Sequence, residues 1–165
     1  MKRSMQRLRR KTRSTRKPTT IPTEKDWGDY SLDLDAKDSY DYFAGYTNEE
    51  MQPRLRQNPC ARTSDLRSMP EVPFQYYILG FRDFVMARNF ERLTASESAS
   101  CFLELILKKL ENHPRHIVPI MPELLSAIEY VAQHQGEFEA RESIYGNFLE
   151  KLTRIQTLYA ALSNF

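Results

Sequence analysis

The stretch "PFQYYILGFRDFVMARN" limits the possible folds more than any other part of the chain. Phe74, Tyr77, Ile78, Phe81, Phe84 and Val85 recur at steps of three and four, which lines them along one face of an α-helix as a buried stripe. Pro73 suits the first turn of that helix. Gly80 lies inside the stripe, where it costs roughly 1 kcal/mol against Ala. Its missing side chain would let a neighbouring helix approach closely.

The same periodicity returns twice. In "SASCFLELILKKLENH", Phe102, Leu103, Ile106, Leu107 and Leu110 face inward, and Lys108 and Lys109 suit the negative end of a helix. In "NFLEKLTRIQTLYAALSNF", Phe148, Leu152, Ile155, Tyr159 and Leu162 alternate steps of four and three. Two heptads are too few for a coiled coil, so this is a helix packed in a bundle, with a self-association seam as the rival.

Start and stop signals divide the rest. "TNEE" reads as a capping box from Thr47 to Glu50, and "TASE" as a second from Thr94 to Glu97. Pro53 shortens or kinks the first of these helices, "NP" at 58–59 ends it, and "ARTSDLRSM" makes one more short helix. Pro122 opens "PELLSAIEYVAQHQG", with Gly136 as its C-terminal cap, and "EFEARESIYG" holds a short helix. Strand signals are almost absent. The expected fold is all-α: a small bundle of about four main helices plus short ones over residues 47–165.

Charge divides the chain ahead of that bundle. Residues 1–17 carry nine Lys or Arg and no acid. Residues 24–50 hold nine acids against Lys25 and Lys37, and the remainder, 51–165, balances thirteen of each sign. Residues 1–23, closing on the Pro/Thr-rich "KPTTIPT", have too few apolar groups to offset their ordering entropy and read as a disordered basic arm. Residues 24–46 form an acidic collar in which Trp27, Tyr30, Leu32, Leu34, Tyr40, Tyr42 and Phe43 interleave with Asp. "SLDLD" alternates at period two, but one short strand makes no sheet. The collar is expected to lie along the helical body with its aromatics as anchors. Its rival role is an acidic-aromatic peptide reaching a protein partner through Trp27, Tyr30, Tyr40 and Tyr42.

Chemical motifs are few. "HPRH" spaces His113 and His116 by three, but Pro114 disfavours a regular helix presenting both, Arg115 adds repulsion, and an exposed loop is expected. An EF-hand starting at Asp29 or Asp33 lacks the Gly at position six and the Glu at position twelve. The five glycines are scattered and cradle no phosphate, and neither G-x-S-x-G nor H-E-x-x-H occurs. Glu137 and Glu139 read as a solvated helix face. No catalytic residue, metal ligand or cofactor is assigned. Cys60 and Cys101 make no disulfide framework, and Cys101 reads as a small buried hydrophobe. With no signal peptide and no apolar run long enough to span a bilayer, the expected location is cytoplasmic.

The arm carries the strongest functional signal. Lys2, Arg3, Arg7, Arg9, Arg10, Lys11, Arg13, Arg16 and Lys17 form a polyanion-binding block through counterion release. The expected function is a non-enzymatic helical interaction protein whose arm contacts RNA, DNA or another polyanion while its body binds an unidentified protein. The alternative is a protein-only adaptor or inhibitor that uses the collar, and a third is a small enzyme with an unmarked site. The arm could also fold onto the collar and compete with outside anions.

Overall fold

The computed structural model describes residues 19–91 and 93–164. Among these the chain is all-helical, with no strand. Two 3-10 turns, Glu24–Trp27 and Tyr30–Leu32, lead into α1 (Leu34–Phe43), α2 (Asn48–Gln57) and α3 (Pro59–Ser68). These are followed by α4 (Glu71–Ala87), α5 (Ala95–Asn112) and the single turn α6 (Pro114–Ile117). After a 3-10 turn come α7 (Met121–Gln133), the turn α8 (Glu142–Tyr145) and α9 (Phe148–Ser163).

The stripe of α4 is the centre of the core. Phe74, Ile78, Phe81 and Val85 are fully buried, and Tyr77 and Phe84 nearly so. Its neighbours are α2 on one side and α5 and α7 on others, while α9 closes over α5 and α7. Gly80 is where α2 comes closest. A Cβ there would overlap the Asn48 side chain, standing 2.9 Å from its Cβ. The contact is fastened by hydrogen bonds: Asn48 Nδ2 donates to the Tyr76 carbonyl (2.9 Å), and Gln52 Nε2 to that of Gly80 (3.0 Å).

Four helices, α4, α5, α7 and α9, are the longest, at 17, 18, 13 and 16 residues. The bundle is larger than the expected four, because α1, α2 and α3 each run ten residues and complete it. α2 passes through Pro53 without stopping, and its box forms as read: Glu50 N–H donates to Thr47 Oγ1 (3.1 Å) and Thr47 N–H to Glu50 Oε2 (2.7 Å). α3 starts at Pro59, with Asn58 Oδ1 accepting from Ala61 N–H.

Three local readings are corrected. The second box does not form, because the Thr94 backbone is already helical and its hydroxyl turns back to donate to the Glu91 carbonyl (2.9 Å). α7 ends at His134, whose Nδ1 lies 2.7 Å from the Tyr130 carbonyl, so Gly136 sits beyond it in a turn rather than as a left-handed cap. Glu137 and Glu139 also lie in these turns; Glu137 binds Arg88 at 2.8 Å and Tyr130 at 3.0 Å.

The cysteines are corrected as well. Cys60 of α3 and Cys101 of α5 are joined in a disulfide, with Cα atoms 6.0 Å apart. Neither stands as an isolated thiol, and a bonded pair speaks against the reducing cytoplasm expected above.

Candidate functional site

The collar begins with an anchor. Pro22 and Trp27 are buried, and Asp26 Oδ2 accepts from both the N–H and the hydroxyl of Thr23, which closes the first turn. Trp27 stands edge-on to Tyr40, and Tyr30 stacks flat on Tyr40 at 3.7 Å. The Tyr40 hydrogen bond, partial burial and Glu24 push the Tyr30 phenol up to about 12. Tyr42 lies between two guanidinium groups, Arg54 at 4.0 Å and Arg62 at 3.4 Å from its ring centre. Tyr77 donates its hydroxyl to the carbonyls of Phe43 (2.7 Å) and Tyr46 (2.9 Å), which fastens the end of α1 to α4. Trp27, Tyr30, Tyr40 and Tyr42 are thus engaged with their own body. Leu32 and Leu34 are 84% and 80% exposed.

The helical course of 34–43 comes from Asp33. Its Oδ1 accepts from Asp35 N–H (2.8 Å) and Ala36 N–H, so the period-two text "SLDLD" ends in an N-cap. The helix turns Asp35, Asp38 and Asp41 outward and buries Ser39, whose hydroxyl donates to the Asp65 carbonyl of α3 (2.8 Å). Asp41 pairs with Lys37 at 2.5 Å.

Two clefts meet along this collar. The larger, about 540 Å³, runs from Trp27, Asp29, Tyr30 and Asp33 to Arg67, Met69, Lys109, His113 and His116. The smaller, about 330 Å³, is lined by Asp35, Asp38, Ser64 and Asp65, and shares Arg67 and Ser68 with the first. Burial raises the Asp65 carboxyl, Arg62 beside it opposes the rise, and Asp38 and Asp35 add to it.

Lys109 is the unusual group. It is 1% exposed, and no carboxylate among the described residues pairs with it. Its ammonium donates to the Met69 carbonyl (3.3 Å), sits 3.1 Å from His116 Nδ1, and lies 4.3 Å from the centre of the Phe74 ring. Met69 follows the last turn of α3, whose unsatisfied carbonyls favour a cation. Burial, with Arg67 adding, pulls Lys109 down to about 8. Burial, with Lys109 and then His113 adding, pulls His116 down to about 4. At neutral pH His116 is therefore an uncharged acceptor for a charged Lys109.

"HPRH" is not a loop. Pro114 takes the first position of α6, where its missing N–H costs nothing, and the turn stacks the rings of His113 and His116 at 5.1 Å. Lys109 stands in the last turn of α5, the negative helix end expected for it, but is buried there. Its spacing carried the signal: it lies seven residues after Phe102 and three after Ile106, on the apolar face of α5.

A third cleft, of about 260 Å³ between α5 and α9, is closed by its own ion pairs. Lys151 binds Glu104 (2.8 Å), and Arg154 binds Glu111. Among the described residues no group of three His, Cys, Asp or Glu is placed to hold a metal ion, and no helix is long and apolar enough to cross a membrane. Lys2, Arg3, Arg7, Arg9, Arg10, Lys11, Arg13, Arg16 and Lys17 lie outside the described residues. No family model, curated protein or solved structure matches the chain.

Proposed function

We propose that the chain is a non-enzymatic helical interaction protein whose basic opening block contacts nucleic acid or another polyanion while the body binds a protein. The observation that carries this reading is the division of charge. Nine cations in residues 1–17 precede, in sequence, a collar that turns Asp29, Asp35 and Asp38 to solvent with no ion pair among the described residues. A polyanion would be repelled by that face, so the block is left to make the contact. A protein partner would meet the open acids together with Leu32 and Leu34, because the collar aromatics face inward. This surface also favours the second reading, a protein-only adaptor for a basic partner.

The test is fluorescence anisotropy on labelled single- and double-stranded oligonucleotides across a salt series. Full-length chain should bind both without sequence preference, with log affinity falling against log salt at a slope of roughly −3 to −5, for about four to six phosphates neutralised. Removing residues 1–18 should abolish binding. Equal affinity with and without those residues would refute the nucleic-acid reading and leave the adaptor. The cytoplasmic location is the part of this reading that the Cys60–Cys101 bond opposes, since such bonds are rare in a reducing cytosol; mass spectrometry of protein alkylated at cell lysis tests it, free thiols supporting the location and an intact bond refuting it.

A further inference from the structure

The larger cleft is lined by an exposed cation and a buried donor that have no partner among the described residues, with a buried ammonium behind them. Lys109 is buried in its wall, held by the Met69 carbonyl and His116 Nδ1, with no carboxylate partner among the described residues. Arg67 lines the same cleft, is exposed, and makes no ion pair or hydrogen bond among the described residues. Trp27 is 2% exposed, and its Nε1 has no acceptor. The Arg67 and Lys109 charges have no counter-charge among the described residues, which suits this side of the cleft to a carboxylate. One group of opposite sign is also open: Asp29 is exposed and its carboxylate has no partner among the described residues, whereas Asp33 is occupied in capping α1. Tyr30 and His113 add ring faces to the lining.

We propose that this cleft is a binding site for a small zwitterion of the aromatic amino-acid class. Arg67 contacts the carboxylate directly, as a planar fork suited to it. Lys109 acts through its charge from behind the wall, since its own donors are already engaged. Asp29 takes the ligand's ammonium group, and the rings of Tyr30 and His113, less buried than Trp27, offer the side chain its apolar surface. The volume is in the range of small-molecule pockets. Asp29 and Asp33 disfavour a ligand of two or more negative charges, which argues against a phosphate ester. The proposal is independent of the polyanion reading, because it uses no residue of the basic block.

The test is isothermal titration of the full chain with three probes: L-phenylalanine, 3-phenylpropanoate and phenethylamine. Phenylalanine should bind, and each one-ended probe should bind about tenfold or more weakly, the loss expected for one charged hydrogen-bonded contact. Arg67→Ala should weaken phenylalanine and 3-phenylpropanoate by about tenfold and leave phenethylamine unchanged. Asp29→Asn should bring phenylalanine down to the level of 3-phenylpropanoate. Both residues are exposed, so circular dichroism should show these variants folded; Lys109→Met should weaken the anionic probes without changing the selectivity set by Asp29. No heat from any probe at millimolar concentration would overturn the proposal. So would equal affinity for phenylalanine and either one-ended probe, or a site indifferent to both Arg67→Ala and Asp29→Asn.

Discussion

The Cys60–Cys101 bond encloses α4, the central helix of the core, and its removal should be costly in a calculable way. The two cysteines are 41 residues apart in sequence and their Cα atoms are 6.0 Å apart in the fold. Cross-linking them restricts the unfolded chain far more than the folded one. For a loop of this length the chain-entropy relation gives about 13 cal/mol/K, or about 4 kcal/mol at 25 °C. In a domain of this size each kcal/mol moves the melting temperature by about 2–4 °C, so Cys60→Ser/Cys101→Ser should melt roughly 8–16 °C lower. Calorimetry on the wild type, both single variants and the double variant checks this, with intact mass confirming the bond. A cross-link is lost as soon as either sulfur goes, so all three variants should melt alike, and a reductant should bring the wild type to the same value. Costs that add from the single variants to the double would assign the loss to packing around each sulfur and refute the entropic argument. A double variant within about 2 °C of the wild type would refute it outright.

Other outcomes follow from single contacts. Folded Lys109 releases its proton at about 8 against 10.5 in an unfolded chain, so between those values the unfolded state holds the extra proton and stability should rise with pH. Urea melts from pH 7.5 to 9.5 should show the rise in the wild type and lose it in Lys109→Met. His116, held near 4 against 6.5, acts with the same sign in a more acid window: stability should fall as pH drops from 6.5 to 4, and less steeply in His116→Gln. Gly80→Ala should destabilise by about 1–3 kcal/mol in denaturant melts, despite the better helix propensity of Ala, because the new methyl meets Asn48. Phe81→Ala, at a fully buried site, should cost about 3–5 kcal/mol, while Lys108→Ala should cost less than about 1.

How far the text of the chain announces this structure depends on the range of the forces involved. The α4 stripe and the Thr47 box were readable because each is complete within a few residues: a repeat of three and four, and a hydroxyl facing a carboxylate three positions on. The Thr94 box has the same letters and fails, because its backbone conformation is set by the loop before it. The helix at 34–43 was hidden by the alternation in "SLDLD", where the Asp33 cap and burial of only Ser39 and Phe43 decide the outcome. The cleft was less visible still. Arg67, Lys109 and His116 come from three helices, and what makes them a site is a tertiary neighbourhood that no local spacing encodes. The disulfide is the same kind of fact, since a pair of cysteines 41 residues apart is silent about whether their helices touch.

The way α3 is held determines the order in which the molecule can come apart. The disulfide ties its first turn to α5, and the Lys109–Met69 contact ties the residue after its last turn to the same helix. By contrast, residues 22–46 rest on the body through Trp27, Phe43, the Tyr42 ring and a few side-chain hydrogen bonds. In native-state hydrogen exchange, the amides of α1 should therefore open at lower free energy than those of α3, as a sub-global unit. The larger cleft lies across that boundary. Trp27, Asp29, Tyr30 and Asp33 belong to the unit that opens first, and Arg67, Lys109 and His116 to the part that stays. That order of opening should loosen one wall of the cleft before the other and make the buried ammonium accessible as α1 exchanges.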